Sequence, residues 1–246
     1  MLPKIDAPQF NIELPVSKKS VKVRPFTVKE EKILLFAQQE EKDKSIIEAI
    51  IQVINNCVLD KTKVELLNTF ELEYLFIKLR AISVNQIITL NIKDEELSTE
   101  EEPVWDKAEF DLDDMEIKFA TKEAESKIEL NDTYMIKLRY PSYNTIGKFS
   151  KEALSDKPAS QIAVELVGSV IESVYSKDGK EVFLLDDYTD EEREEFYSSL
   201  STANFAKVQE FMASAPYIYG ELKYENSKGE TVIKELKGLS DFFMLA

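Results

Sequence analysis

The 246-residue chain carries 31 Lys and Arg against 47 Asp and Glu, giving a formal charge of −16 with no histidine. Hydrophobic residues at 43%, with 14 Phe and 10 Tyr, supply a real core, which excludes both a disordered polyanion and a small disulfide scaffold. Direct binding to a nucleic-acid backbone is disfavoured, because that requires clustered Lys and Arg to displace counterions and the sequence has no such cluster.

Phe10 to Leu14 and Val21 to Arg24 alternate with period two across the polar link Ser17 to Ser20, which predicts an opening β-hairpin ended by Pro25. Thr27-Val28-Lys29-Glu30 has capping-box spacing, so a helix follows to about Glu40. A second helix starts near Asp43, with Ile46, Ile47, Ile50, Ile51, Ile54 and Val58 as its stripe. A third, capped by Asn68, carries Leu72, Leu75, Phe76 and Leu79.

From about 86 to 140 the pattern is that of strands around Ile88, Ala108, Ile117, Ile128 and Met135, separated by acidic turns. Asp94 to Glu102 reads as a solvated, mobile acidic tip. After Pro141 the helical period returns, and Ala163, Leu166, Val167, Val170, Ile171 and Val174 predict one amphipathic helix. Glu181 to Leu185 predicts a short strand, Thr189 to Glu192 a second capping box, and Phe205, Val208, Phe211 and Met212 the inner face of a last helix before Pro216. Tyr217 to Tyr224 and Thr231 to Leu236 form a closing hairpin around Asn226 to Gly229.

The expected class is α+β. A hairpin with a three-helix unit occupies 1–85, an antiparallel β segment with an acidic loop 86–140, and a helical unit closed by a β-hairpin and an apolar tail 141–246.

The residue inventory removes most catalytic centres. Without histidine there is no Ser-His-Asp triad, no Cys-His dyad and no common catalytic zinc site. The single Cys57 sits in an apolar run and reads as a small buried hydrophobe. The six glycines stand nine or more positions apart, too sparse for a phosphate cradle. No catalytic residue, cofactor or metal ligand is therefore assigned. One motif tests that assignment: Asp111, Asp113 and Asp114 before Glu116-Ile117-Lys118 have the spacing of a Mg²⁺-dependent nuclease. A solvated acidic turn entering a strand accounts for them more simply. No apolar run has the length of a membrane helix, and Met1 to Phe10 has no signal-peptide core, so a soluble protein in a reducing compartment is expected.

The end of the chain, Gly238 to Ala246, is unusually apolar. Leu239, Phe242, Phe243 and Met244 either dock on their own domain or serve as anchors for a partner protein.

Leu2 to Ile5, Ile12 to Pro15 and the run Val23-Arg24-Pro25-Phe26-Thr27-Val28-Lys29-Glu30-Glu31-Lys32 together resemble the baseplate hub assembly proteins of T-even-type contractile-tailed bacteriophages. Phe76 to Val84 and Gly238 to Phe243 are similar to the same family. Some relatives carry Cys pairs in the β segment and the final hairpin; Asp94 to Trp105 and Glu225 to Lys228 have none, so no zinc staple is implied.

The resemblance implies a non-enzymatic assembly chaperone that binds tail hub or tape-measure proteins in the host cytoplasm. Neither nucleic acid nor membrane is expected as a partner. A permanent subunit of the virion baseplate hub is the first alternative, and an Asp111, Asp114, Glu116 and Lys118 Mg²⁺ enzyme is the alternative of another class. An acidic mimic of nucleic acid is a third.

Overall fold

The computed structural model describes residues 7–39, 43–94, 98, 104–120, 124–147 and 158–243. The first elements are β1 (Phe10–Glu13), β2 (Ser20–Val23), α1 (Val28–Gln39), α2 (Asp43–Cys57) and α3 (Thr69–Ser83). Strands follow: β3 (Ile87–Lys93), β4 (Trp105–Asp111), β5 (Glu116–Phe119), β6 (Lys127–Glu129) and β7 (Tyr134–Leu138). Next come α4 (Tyr143–Gly147), α5 (Ala159–Gly168), β8 (Ile171–Ser176), β9 (Val182–Leu184), α6 (Asp190–Ser199) and α7 (Thr202–Ala213). The chain closes with β10 (Pro216–Glu225), β11 (Thr231–Lys237) and α8 (Gly238–Phe243). Mixed helices and small antiparallel sheets make this an α+β protein, as the alternating periods predict.

Contacts divide the chain into two units, Met1–Lys118 with Tyr217–Ala246, and Phe119–Pro216. This differs from the three consecutive segments expected at 1–85, 86–140 and 141–246. The closing hairpin β10–β11 pairs through β10 with β5, in the order β11-β10-β5, which brings the chain end back to the first unit. The β-rich stretch is divided as well, since β3–β4 stand in the first unit while β6 and β7 join β8 and β9 in the second.

In the first unit the hairpin turns inward Ile12, Val21 and Val23, and α2 contributes Ile46, Ile50, Val53 and Ile54. The α3 helix buries Leu72, Leu75, Phe76 and Leu79, so the apolar stripes are core positions. The carboxylate of Glu71 is buried on α3, and its Oε1 accepts from Ser17 N at 2.7 Å, fixing the β1–β2 turn to that helix. In β3 and β4, Ile88, Leu90, Ile92, Ala108 and Phe110 are buried at every second position.

The second unit is a four-stranded antiparallel sheet, β6-β7-β8-β9, in which Ile128, Ile136, Val174 and Phe183 are paired across the strands. Val167 of α5, Tyr197 of α6, and Val208 and Phe211 of α7 complete its core, and Tyr140 stacks on Phe211 at 4.5 Å. The single helix expected over 163–174 is corrected here: α5 ends at Gly168 and the chain resumes as β8 at Ile171. Most of the acidic tip, 95–97 and 99–103, lies outside the described residues.

Candidate functional site

The Arg-Pro-Phe run forms a structural junction. Arg24 Nη2 lies 3.0 Å from Glu30 Oε1, and its guanidinium also donates to the carbonyls of Pro25 and Asn56, each at 2.9 Å. The second carboxylate oxygen of Glu30 accepts from Thr27 N at 2.9 Å and Thr27 Oγ1 at 2.7 Å, the returning half of the expected capping box. Burial alone would raise the pKa of this 1% exposed carboxyl, but the hydrogen bonds from Arg24 and Thr27 outweigh it and pull the pKa down to about 2. Arg24 N donates to Cys57 O at 2.9 Å, so one side chain and one amide tie β2 to α1 and α2. The Cys57 thiol is fully buried and burial pushes its pKa up to about 11.

The apolar tail folds back onto its own unit. Gly238 adopts φ +66°, and Asp241 Oδ2 accepts from Lys237 N at 2.8 Å, which turns the strand into α8. Leu239 is 8% exposed and Phe242 2%. The Phe242 ring meets Phe110 edge-on at 5.5 Å, over a strand position where only glycine fits: a Cβ on Gly220 would lie 2.6 Å from Phe110 Cζ and 3.2 Å from Phe242 Cζ. Leu239 and Phe242 are thus core residues in this conformation and not free anchors. The Phe243 side chain and Met244 lie outside the described residues.

The acidic motif is dispersed among local partners. Asp111 Oδ1 accepts from Asp113 N and Gln86 Nε2, each at 2.9 Å, while Lys78 Nζ pairs with Asp113 at 2.8 Å. Lys118 points over the Tyr219 ring, 3.3 Å from its centroid, and lies 3.8 Å from Glu116. Among the described residues no group of three or more potential metal ligands is brought together.

A groove of about 630 Å³ lies in the second unit, and its volume falls in the range of ligand pockets. It is lined by Val174 with Phe183 and Tyr134, whose rings meet edge-on at 6.3 Å. Leu130, Asn131, Tyr188, Glu192 and Phe196 line it as well. The local sequence positions several of these residues. Thr189 and Glu192 complete a reciprocal capping box, with Thr189 N donating to Glu192 Oε2 at 2.9 Å and Glu192 N to Thr189 Oγ1 at 3.3 Å, so α6 starts where Tyr188 and Glu192 face the groove. Ser201 Oγ then accepts from Asn204 N at 3.2 Å to start α7, and Asn204 Nδ2 donates to Leu130 O at 3.4 Å, joining two lining residues.

The profile of the T4 bacteriophage base plate protein family matches residues 7–244. The chain belongs to that family. No curated protein and no solved structure matches it. For a phage baseplate protein the relevant surface is one that meets other baseplate or tail proteins, and among the described residues no helix is long and apolar enough to cross a membrane. The capping box at Thr189 and the strand at Val182 were legible in the baseplate protein's sequence, but the groove was not. Its lining comes from positions 130 to 204, brought together by the pairing of β7, β8 and β9 and the packing of α6 and α7 in the same core.

Proposed function

We propose that the chain is a non-enzymatic chaperone of baseplate assembly, which binds hub or tape-measure proteins in the infected host and leaves before the particle is complete. Membership of the baseplate family over nearly the whole chain is the observation that supports a role in this structure. Its −16 charge would keep a complex with a sticky, unassembled partner soluble. The inventory without histidine and with one buried cysteine is consistent with work done by contact.

A permanent hub subunit is the second reading, favoured by the family's description as a base plate protein. Quantitative mass spectrometry of mature particles, alongside pull-down from infected cells, separates the two. A chaperone is captured with hub or tape-measure proteins from lysate and is absent or substoichiometric in particles. A subunit is present at the copy number set by the symmetry of the hub.

A further inference from the structure

We infer that the groove of the second unit holds a cationic amphipathic segment of a partner protein, with apolar side chains against the apolar lining and Lys or Arg against the acidic edge. This rests on the assembly role proposed above and names the chemistry of the segment that would be bound.

Two independent features favour that occupant. Eight of the fourteen lining residues are apolar or aromatic, among them Val174, Phe183, Tyr134, Tyr188, Phe196 and Leu200. Tyr188 is 38% exposed, so an anchor placed there would cover aromatic surface that now meets water. One edge is acidic. Glu192 lines the groove, and the segment 178–195 that supplies this edge contains nine acidic side chains and two basic ones; of the acidic ones, Asp178, Asp186 and Asp190 are paired with Lys180, Arg139 and Arg193.

Helical geometry puts Glu191, Glu192 and Glu195 on or beside the groove-lining row of α6. Tyr188, Glu192, Phe196 and Ser199 line the groove at intervals of three and four, with 192 to 199 on α6. Glu191 and Glu195 stand one helical step to the solvent side of that row and are exposed, on the flank away from the buried Tyr197. The one basic side chain in the lining, Arg193, is paired with Asp190 of its own helix. An acidic or purely apolar segment would find the apolar lining but not the charge, whereas a cationic one gains both.

The test uses the full chain and dye-labelled synthetic peptides of about 14 residues, read by fluorescence anisotropy. One peptide alternates Leu and Lys at helical spacing, a second replaces Lys by Glu, and a third replaces Leu by Ser. The Leu/Lys peptide binds at least about tenfold more tightly than either of the others, and raising ionic strength from about 0.05 M to about 0.3 M weakens it several-fold. Tyr188→Ala and the double variant Glu191→Lys/Glu195→Lys, each checked for native circular dichroism, lower the affinity by about tenfold or more.

Equal binding of the Lys/Ser peptide would show a charged surface without a groove and overturn the proposal. So would tight binding of the Leu/Glu peptide, indifference to both variants, or self-association of the chain through this face that the Leu/Lys peptide does not displace. Failure here with capture of hub proteins intact overturns the groove alone. The particle census decides the assembly role without reference to the peptides.

Discussion

Glu30→Gln removes one negative charge from the junction of β2, α1 and α2 while keeping an oxygen that can accept from Thr27. The carboxyl's ordinary pKa of 4.5 falls to about 2 in the folded chain, so the charged form is favoured over the neutral one by about 3 kcal/mol. The folded value is the lower one. The stabilisation is therefore present above the unfolded value and lost as pH falls toward the folded one. The variant, neutral at every pH, is expected to be about 3 kcal/mol less stable than the wild type at pH 7 and at pH 5, with the gap narrowing to about 1.5 kcal/mol at pH 3.

Urea titration of both proteins at the three pH values measures this, because carboxylates elsewhere affect both alike and cancel in the difference. The buried thiol of Cys57, whose backbone carbonyl accepts from Arg24 N, reports opening of this unit through labelling with an acid-tolerant dithiodipyridine. A gap below about 1 kcal/mol at pH 7, or one that does not narrow between pH 5 and pH 3, would refute the role given to the Arg24–Glu30 pair.

Gly220→Ala drives a methyl group into the Phe110 and Phe242 rings, and a loss of about 1–3 kcal/mol is expected from urea unfolding. Phe242→Ala empties a position that is 2% exposed and is expected to cost about 3–5 kcal/mol, so removal of the apolar tail acts first on stability. If that variant unfolds at the wild-type urea concentration, the docking of α8 is wrong. Thr189→Ala removes one half of the reciprocal cap at the start of α6 and should lower stability by about 1 kcal/mol in the same assay.

The one helix misread from the sequence shows how a strand can imitate helical spacing. Ile171 and Val174 are three residues apart and both face the core, which an uninterrupted strand forbids because its side chains alternate. Lys137 pairs with Ser173 but Leu138 pairs with Ile171, so Glu172 is the extra residue of a β-bulge and the parity changes there. The bulge extends the period of α5 into β8. Gly168 marks the true boundary for a reason local sequence does not carry: a Cβ there would lie 2.1 Å from the Tyr197 ring, which reaches it from α6. The division into units was hidden for a similar reason, since β5 and β10 are about a hundred residues apart and their pairing is non-local. Elements set by nearby residues were legible, including the opening hairpin, the Thr189 cap, and the stripes of α2 and α3.

The same distinction separates family from function in this chain. Arg24, Phe26, Thr27 and Glu30, within the run that gives the resemblance its specificity, hold the hairpin against the helices, and Leu239 and Phe242 of the closing run lie inside the first unit. A resemblance carried by such residues identifies the fold, because changing them costs stability, but it says little about what the surface meets. The binding proposed for the groove is carried instead by Tyr188 and Phe196, which line it, and by Glu191 and Glu195 beside them, none of which belongs to the runs that carry the resemblance. Substitutions in the Arg24–Glu30 junction should therefore lower stability and partner binding together, whereas charge reversal at Glu191 and Glu195 should lower binding at unchanged urea midpoint. If both sets moved stability and binding in parallel, the acidic edge would be part of the scaffold and not a recognition surface.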